Sequence, residues 1–74
     1  MTIEYDIFCF SRTLYITFPE EYEYLENAIL DALNTFYDEW QNSDDGCCCE
    51  EYMIKRLSER YAVLGWESID WGEN

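Results

Sequence analysis

Hydrophobic and polar residues alternate along two stretches near the start of the chain, 3–10 (IEYDIFCF) and 13–18 (TLYITF). Both are rich in β-branched and aromatic side chains, the pattern of half-buried strands. With Ser11 and Arg12 as the loop, they form an antiparallel β-hairpin in which Cys9 pairs with Leu14, Ile7 with Ile16 and Tyr5 with Phe18. Those residues and Ile3 then share the core face. The opposite face carries Glu4, Asp6, Phe8, Phe10, Thr13, Tyr15 and Thr17, acids mixed with large aromatics.

From Pro19 the period lengthens to that of a helix. Pro19 suits a first helical position, with Thr17 or Phe18 as the boundary. At 100° per residue, Tyr22, Leu25, Ile29, Ala32, Leu33, Phe36 and Trp40 fall within about 50° of one direction, predicting an amphipathic helix over 20–41. Its other side carries Glu20, Glu23, Asn27, Asp31, Asn34 and Asp38 in steps of three and four, with Tyr24 among them. The polar run 41–46 (QNSDDG) ends it.

A second helix is expected from about Cys48 to Leu64, with apolar positions Met53, Ile54, Leu57, Tyr61 and Leu64. Glu50 and Glu51 stand in its first turn, Glu51 and Lys55 form an i,i+4 pair, and Gly65 stops it. The tail 66–71 (WESIDW) alternates as a short third strand at the edge of the hairpin. The prediction is one α+β domain spanning 1–74, an antiparallel β-hairpin followed by two α-helices and a short C-terminal strand, with no repeats and no linker.

Charge changes the picture. The chain has 17 Asp and Glu against four Lys and Arg (Arg12, Lys55, Arg56, Arg60), no His, and a formal net charge of −13. Hydrophobic residues make up 49% and aromatics 19%, so it is no disordered acidic tail. A globule of this length has a diameter near 29 Å from a radius of gyration of about 11 Å. Duplex DNA of that length carries roughly 17 charges, the same order as the protein. A charge serving solubility in a small domain is usually about 2 to 8.

The opening residues are acidic and no long apolar run follows. The expectation is therefore an intracellular protein without signal peptide or membrane span, its cysteines reduced.

Candidate chemistry is sparse. Cys47, Cys48 and Cys49 are adjacent, whereas structural zinc sites use spaced pairs, because neighbouring residues cannot easily direct their sulfurs at one tetrahedral centre. Residues 42–51 (NSDDGCCCEE) lack the alternating ligands of a calcium loop. No Ser-His or Cys-His pair and no Gly-rich phosphate loop is present. The expectation is a non-enzyme with no cofactor and no metal.

A carboxylate array interspersed with aromatics can take the place of phosphates and base edges in a basic cleft. In small size, acidity and mixed α/β pattern the chain resembles the DNA-mimic inhibitors of bacteriophages and mobile elements, including anti-CRISPR and anti-restriction proteins. The resemblance is one of type, and no family motif carries residues over. It implies a stoichiometric inhibitor in the cytoplasm of a bacterial host, whose partner has a Lys/Arg-rich nucleic-acid-binding cleft, such as a CRISPR effector or another defence nuclease. Direct contact with nucleic acid or membrane is not expected. The candidate contact residues are Glu20, Glu23, Tyr24, Asn27, Asp31 and Asp38 on the first helix, Asp44, Asp45, Glu50 and Glu51 around the second helix's start, and Phe8, Phe10 and Tyr15 on the hairpin. The alternative is an acidic adaptor or homodimer that packs through the hairpin aromatics.

Overall fold

The computed structural model describes residues 1–44, 46 and 48–71, with the backbone alone at Cys9. Its elements are β1 (Thr2–Ile7), a 3-10 turn (Phe8–Phe10), β2 (Arg12–Thr17), a 3-10 helix (Glu20–Leu25), α1 (Glu26–Gln41), α2 (Cys49–Ser58) and β3 (Gly65–Asp70). The strands form one antiparallel sheet in the order β1-β2-β3. The order of elements is the α+β one expected, and both helices lie on one face of the sheet. Between the layers are buried Ile3, Ile7, Leu14, Ile16, Phe18, Ile29, Leu33, Phe36, Met53 and Leu57.

The hairpin register differs from the expected one. Ile3 pairs with Ile16, Tyr5 with Leu14 and Ile7 with Arg12. Phe8–Phe10 curl into the turn, closed by a hydrogen bond from Ser11 N to Phe8 O of 3.2 Å. Ser11 takes the left-handed conformation, φ 53°. A four-residue loop ending in a left-handed residue matches the strand twist better than Ser-Arg alone could. The displacement is an even number of residues, so Ile3, Tyr5, Ile7, Leu14 and Ile16 keep the expected core face, while the Cys9 side chain expected with them lies outside the described residues. Phe8 and Phe10, however, sit in the turn rather than on the strand face opposite the core.

Met1 and Phe18 exchange hydrogen bonds of 2.7 and 2.8 Å. That sets the phase of the ladder: Ile3, Tyr5 and Ile7 direct their N–H and C=O groups at β2. The N–H and C=O groups of Thr2, Glu4 and Asp6 therefore point to the free edge of the sheet. Glu4, Asp6, Thr13, Tyr15, Thr17, Glu67 and Ile69 share the face that no helix covers.

The first helix is also corrected. Glu20–Leu25 is 3-10 rather than α, and Pro19 (φ −57°, ψ 145°) is its extended cap instead of a helical residue. In a 3-10 helix residues i and i+3 eclipse, which turns Tyr22 and Leu25 inward together. Tyr22 packs against Phe18 (ring centroids 6.2 Å) and Tyr61 (6.0 Å). Glu20, Glu23 and Glu26 align outward.

α2 ends at Ser58, earlier than the spacing of Tyr61 and Leu64 suggested. Leu64 N donates to Thr17 O at 2.9 Å, so the backbone there serves the sheet instead of a longer helix. β3 then pairs with β2 as the expected edge strand.

Candidate partner-binding surface

Arg12 has the same strand parity as Leu14 and Ile16, so its side chain leaves β2 on the helix side of the sheet. There it meets Glu50 in the first turn of α2, Nη1 to Oε2 2.5 Å, while Ser68 Oγ of β3 donates to the same carboxylate at 2.9 Å. One buried acid thus ties α2 to two strands. Burial pushes its pKa up, but hydrogen bonds from Arg12, its own backbone N–H, Ser68 and Cys49 outweigh that and lower it to about 2. Glu50, expected at the contact surface, is 2% exposed. It is a structural acid, unable to reach a partner.

Arg56 and Arg60 are engaged too. Arg56 contacts Glu39 (3.3 Å) and Glu59 (2.9 Å). Arg56 and Arg60 lie over the Phe36 ring at 5.6 and 5.7 Å. The expected Glu51–Lys55 pair is not among the ion pairs of the described residues. Every described Asp and Glu except Glu39 and Glu50 is exposed.

Glu20, Glu23, Tyr24, Asn27, Asp31 and Asp38 all reach solvent, Tyr24 at 83%. The change from 3-10 to α winding at Leu25 divides them between two segments instead of one α-helical stripe. Asp44 and Glu51 are also exposed, whereas Asp45 lies outside the described residues. Phe8 is 73% exposed and rests edge-on against Trp71 (6.1 Å), and Phe10 rests likewise against Trp40 (5.7 Å). Tyr15 is half-buried on the uncovered sheet face, opposite Glu4 and Glu67.

The fold makes one juxtaposition that the residue pattern did not suggest. Tyr5, on the helix side of β1, donates its hydroxyl to Asn34 Oδ1 of α1 at 2.7 Å. Burial, then the charge of Asp38, raise the Tyr5 pKa. The Asn34–Asp38 part of the helix stripe therefore stands beside the free edge of β1. Glu4 and Asp6 are on the other side of that edge. A groove of about 400 Å³ runs between them, lined by Glu4, Tyr5, Asp6, Ile7, Phe8, Asn34 and Tyr37. The signal for this contact was a tyrosine on a core face, whose hydroxyl needs a partner when buried.

Of the cysteine run, Cys47 lies outside the described residues, Cys48 is exposed and Cys49 is buried. Cys49 Sγ donates to Glu50 Oε1 at 3.3 Å. Burial, the hydrogen bond and the charge of Glu50 push its pKa up to about 12. A maleimide at about pH 8 is accordingly expected to modify Cys48 rapidly and Cys49 only on unfolding, since the thiolate is the nucleophile. Mass mapping of the labelled peptides checks this, and equal rates at the two positions would contradict the burial of Cys49. Among the described residues no three Cys, Asp or Glu gather as a metal site. Among the described residues, no helix is long and apolar enough to cross a membrane.

No protein-family model, curated protein or solved structure matches the chain.

Proposed function

We propose that the protein is a stoichiometric inhibitor whose carboxylates stand in for nucleic-acid phosphates and block a Lys/Arg-rich cleft on a bacterial defence nuclease, in the manner of anti-CRISPR proteins. The observation that carries this reading is the uncompensated acidic surface. Arg12 and Arg56 are consumed by Glu50, Glu39 and Glu59, and Arg60 packs on Phe36, while the remaining described acids face solvent. Such an arrangement is a field, not a lattice of surface ion pairs. Fields of this kind steer cationic partners at long range.

A second reading follows from the exposed apolar residues. Phe8, Trp66, Ile69 and Trp71 are each more than 40% exposed. They would suit an adaptor or a self-associating protein that packs through the hairpin end and sheet, the charge serving solubility.

Capture of partners from a bacterial lysate, eluted in rising salt, separates the two. A nucleic-acid-binding protein released by moderate salt supports the inhibitor, and a partner retained at high salt supports the adaptor. The protein itself is expected to leave duplex DNA and RNA unshifted in a low-salt gel, because a charge of −13 repels a polyanion. A direct shift would overturn the proposal.

A further inference from the structure

We infer that the groove between β1 and α1 receives an extended, Lys/Arg-bearing segment of the partner, added to the free edge of β1 as a fourth strand. Three observations meet there. The ladder phase set by Met1 and Phe18 turns the amides and carbonyls of Glu4 and Asp6 outward, and an edge presenting such groups is a template for strand addition. Beside that edge lies open volume of about 400 Å³ with Tyr5, Tyr37 and Phe8 in its walls. Aromatic walls of this kind receive the alternate side chains of an added strand.

Charge identifies the occupant. Glu4 and Asp6 flank the groove on the uncovered face of the sheet, and Asp38 stands near Tyr5 on the helix side. None of the groove-lining residues is basic. A strand in this position directs successive side chains to opposite faces, so cations at either parity meet carboxylates. Arginine suits both walls, since its guanidinium pairs with carboxylates and stacks on aromatic rings. A second copy of this chain fits poorly. Pairing β1 with β1 would bring Glu4 and Asp6 of both copies across one ladder, where like charges destabilise, and each copy carries −13.

The inference rests on reading the acidic surface as one that binds protein, but its test does not require the natural target. The probe is an acetylated, amidated hexapeptide of alternating Arg and Val, titrated into the full-length protein at low salt. Hydrogen exchange at the Glu4 and Asp6 amides is expected to slow by about tenfold or more, as those groups enter a ladder. Glu4→Gln removes the charge and keeps the amide. Glu4→Pro removes both, at a position whose N–H faces away from β2 and where an edge strand tolerates proline. Glu4→Gln should weaken binding about fivefold and Glu4→Pro by at least a further fivefold, with thermal unfolding confirming that both variants fold. Equal weakening by the two variants overturns strand addition, because the backbone would then play no part. Protection at Trp66, Ser68 and Asp70 instead places the strand on the β3 edge and overturns it as well. Binding confined to Glu23 and Asp31, without edge protection, overturns the groove while leaving the phosphate-mimic reading intact.

Discussion

Replacing Glu23, Asp31 and Asp38 together with lysine is expected to weaken partner binding on the order of a thousandfold, at about tenfold per reversed site where the contact is partly desolvated. Each reversal removes an attraction and adds a repulsion against the partner's cations. The fold should tolerate all three changes. The side chains are exposed and point away from buried Ile29, Leu33 and Phe36. Only the backbone carbonyls at these positions are used locally, Glu23 O by Glu26 N, Asp31 O by Thr35 Oγ1 and Asp38 O by Asn42, and substitution leaves them in place. α1 has no basic residue in its last turn, so a lysine at 38 complements the helix dipole, offsetting the less favourable lysine at 23. Relief of acidic self-repulsion adds to this. Thermal unfolding measured beside binding separates the two effects. A triple variant that folds and binds fully would make this a solvated face. The contact would then lie on the hairpin at Phe8, Phe10 and Tyr15, or near Asp44 and Glu51.

The second large effect concerns Glu50. A carboxyl held at about 2 in the folded protein against an ordinary value of 4.5 stabilises the fold wherever it is ionised in both states. Its contribution is complete above about pH 4.5 and lost as the pH falls toward 2, and the linkage amounts to about 3 kcal/mol. Glu50→Gln should therefore lower stability by roughly that amount at neutral pH, a large share of the total for a domain of this size. Arg12→Met should be worse, because it strands a buried carboxylate. Acidification also protonates the exposed acids and relieves repulsion, which raises stability as the pH falls. The difference between wild type and Glu50→Gln removes that shared effect. Denaturant unfolding of both proteins should show a gap that is constant near neutrality and closes below about pH 4.5. A gap independent of pH would contradict the assigned role of the Arg12–Glu50–Ser68 cluster.

Much of this architecture was legible in residue spacing. The period-2 strands and the Ile29–Leu33–Phe36 face are repeated signals, and repetition makes a face secure even where a boundary is not. The hairpin register was not legible, because Ser-Arg carries no strong turn preference and the true loop recruits Phe8 and Phe10, residues that otherwise read as strand. Local propensity also does not distinguish 3-10 from α winding at 20–25, since Tyr22 and Leu25 reach the core at either period. Glu50 looked like any other first-turn acid. Its role depended on Arg12 emerging from β2 with core parity, a clue present in the alternation with Leu14 and Ile16 but hidden once Arg12 was placed in the loop. The acidic surface needed the fold for a different reason: only three-dimensional packing shows that Arg12, Arg56 and Arg60 are spent internally, and that the helix stripe adjoins the edge of β1.

Competition by nucleic acid tests the central claim most directly. The partner captured on the immobilised protein is challenged at constant ionic strength with an excess of the duplex DNA or RNA that it binds. If carboxylates occupy its phosphate-binding cleft, the nucleic acid displaces it completely, and its affinity for the protein falls steeply as salt is raised. A partner that stays bound to the protein while also holding its nucleic acid would contradict the account.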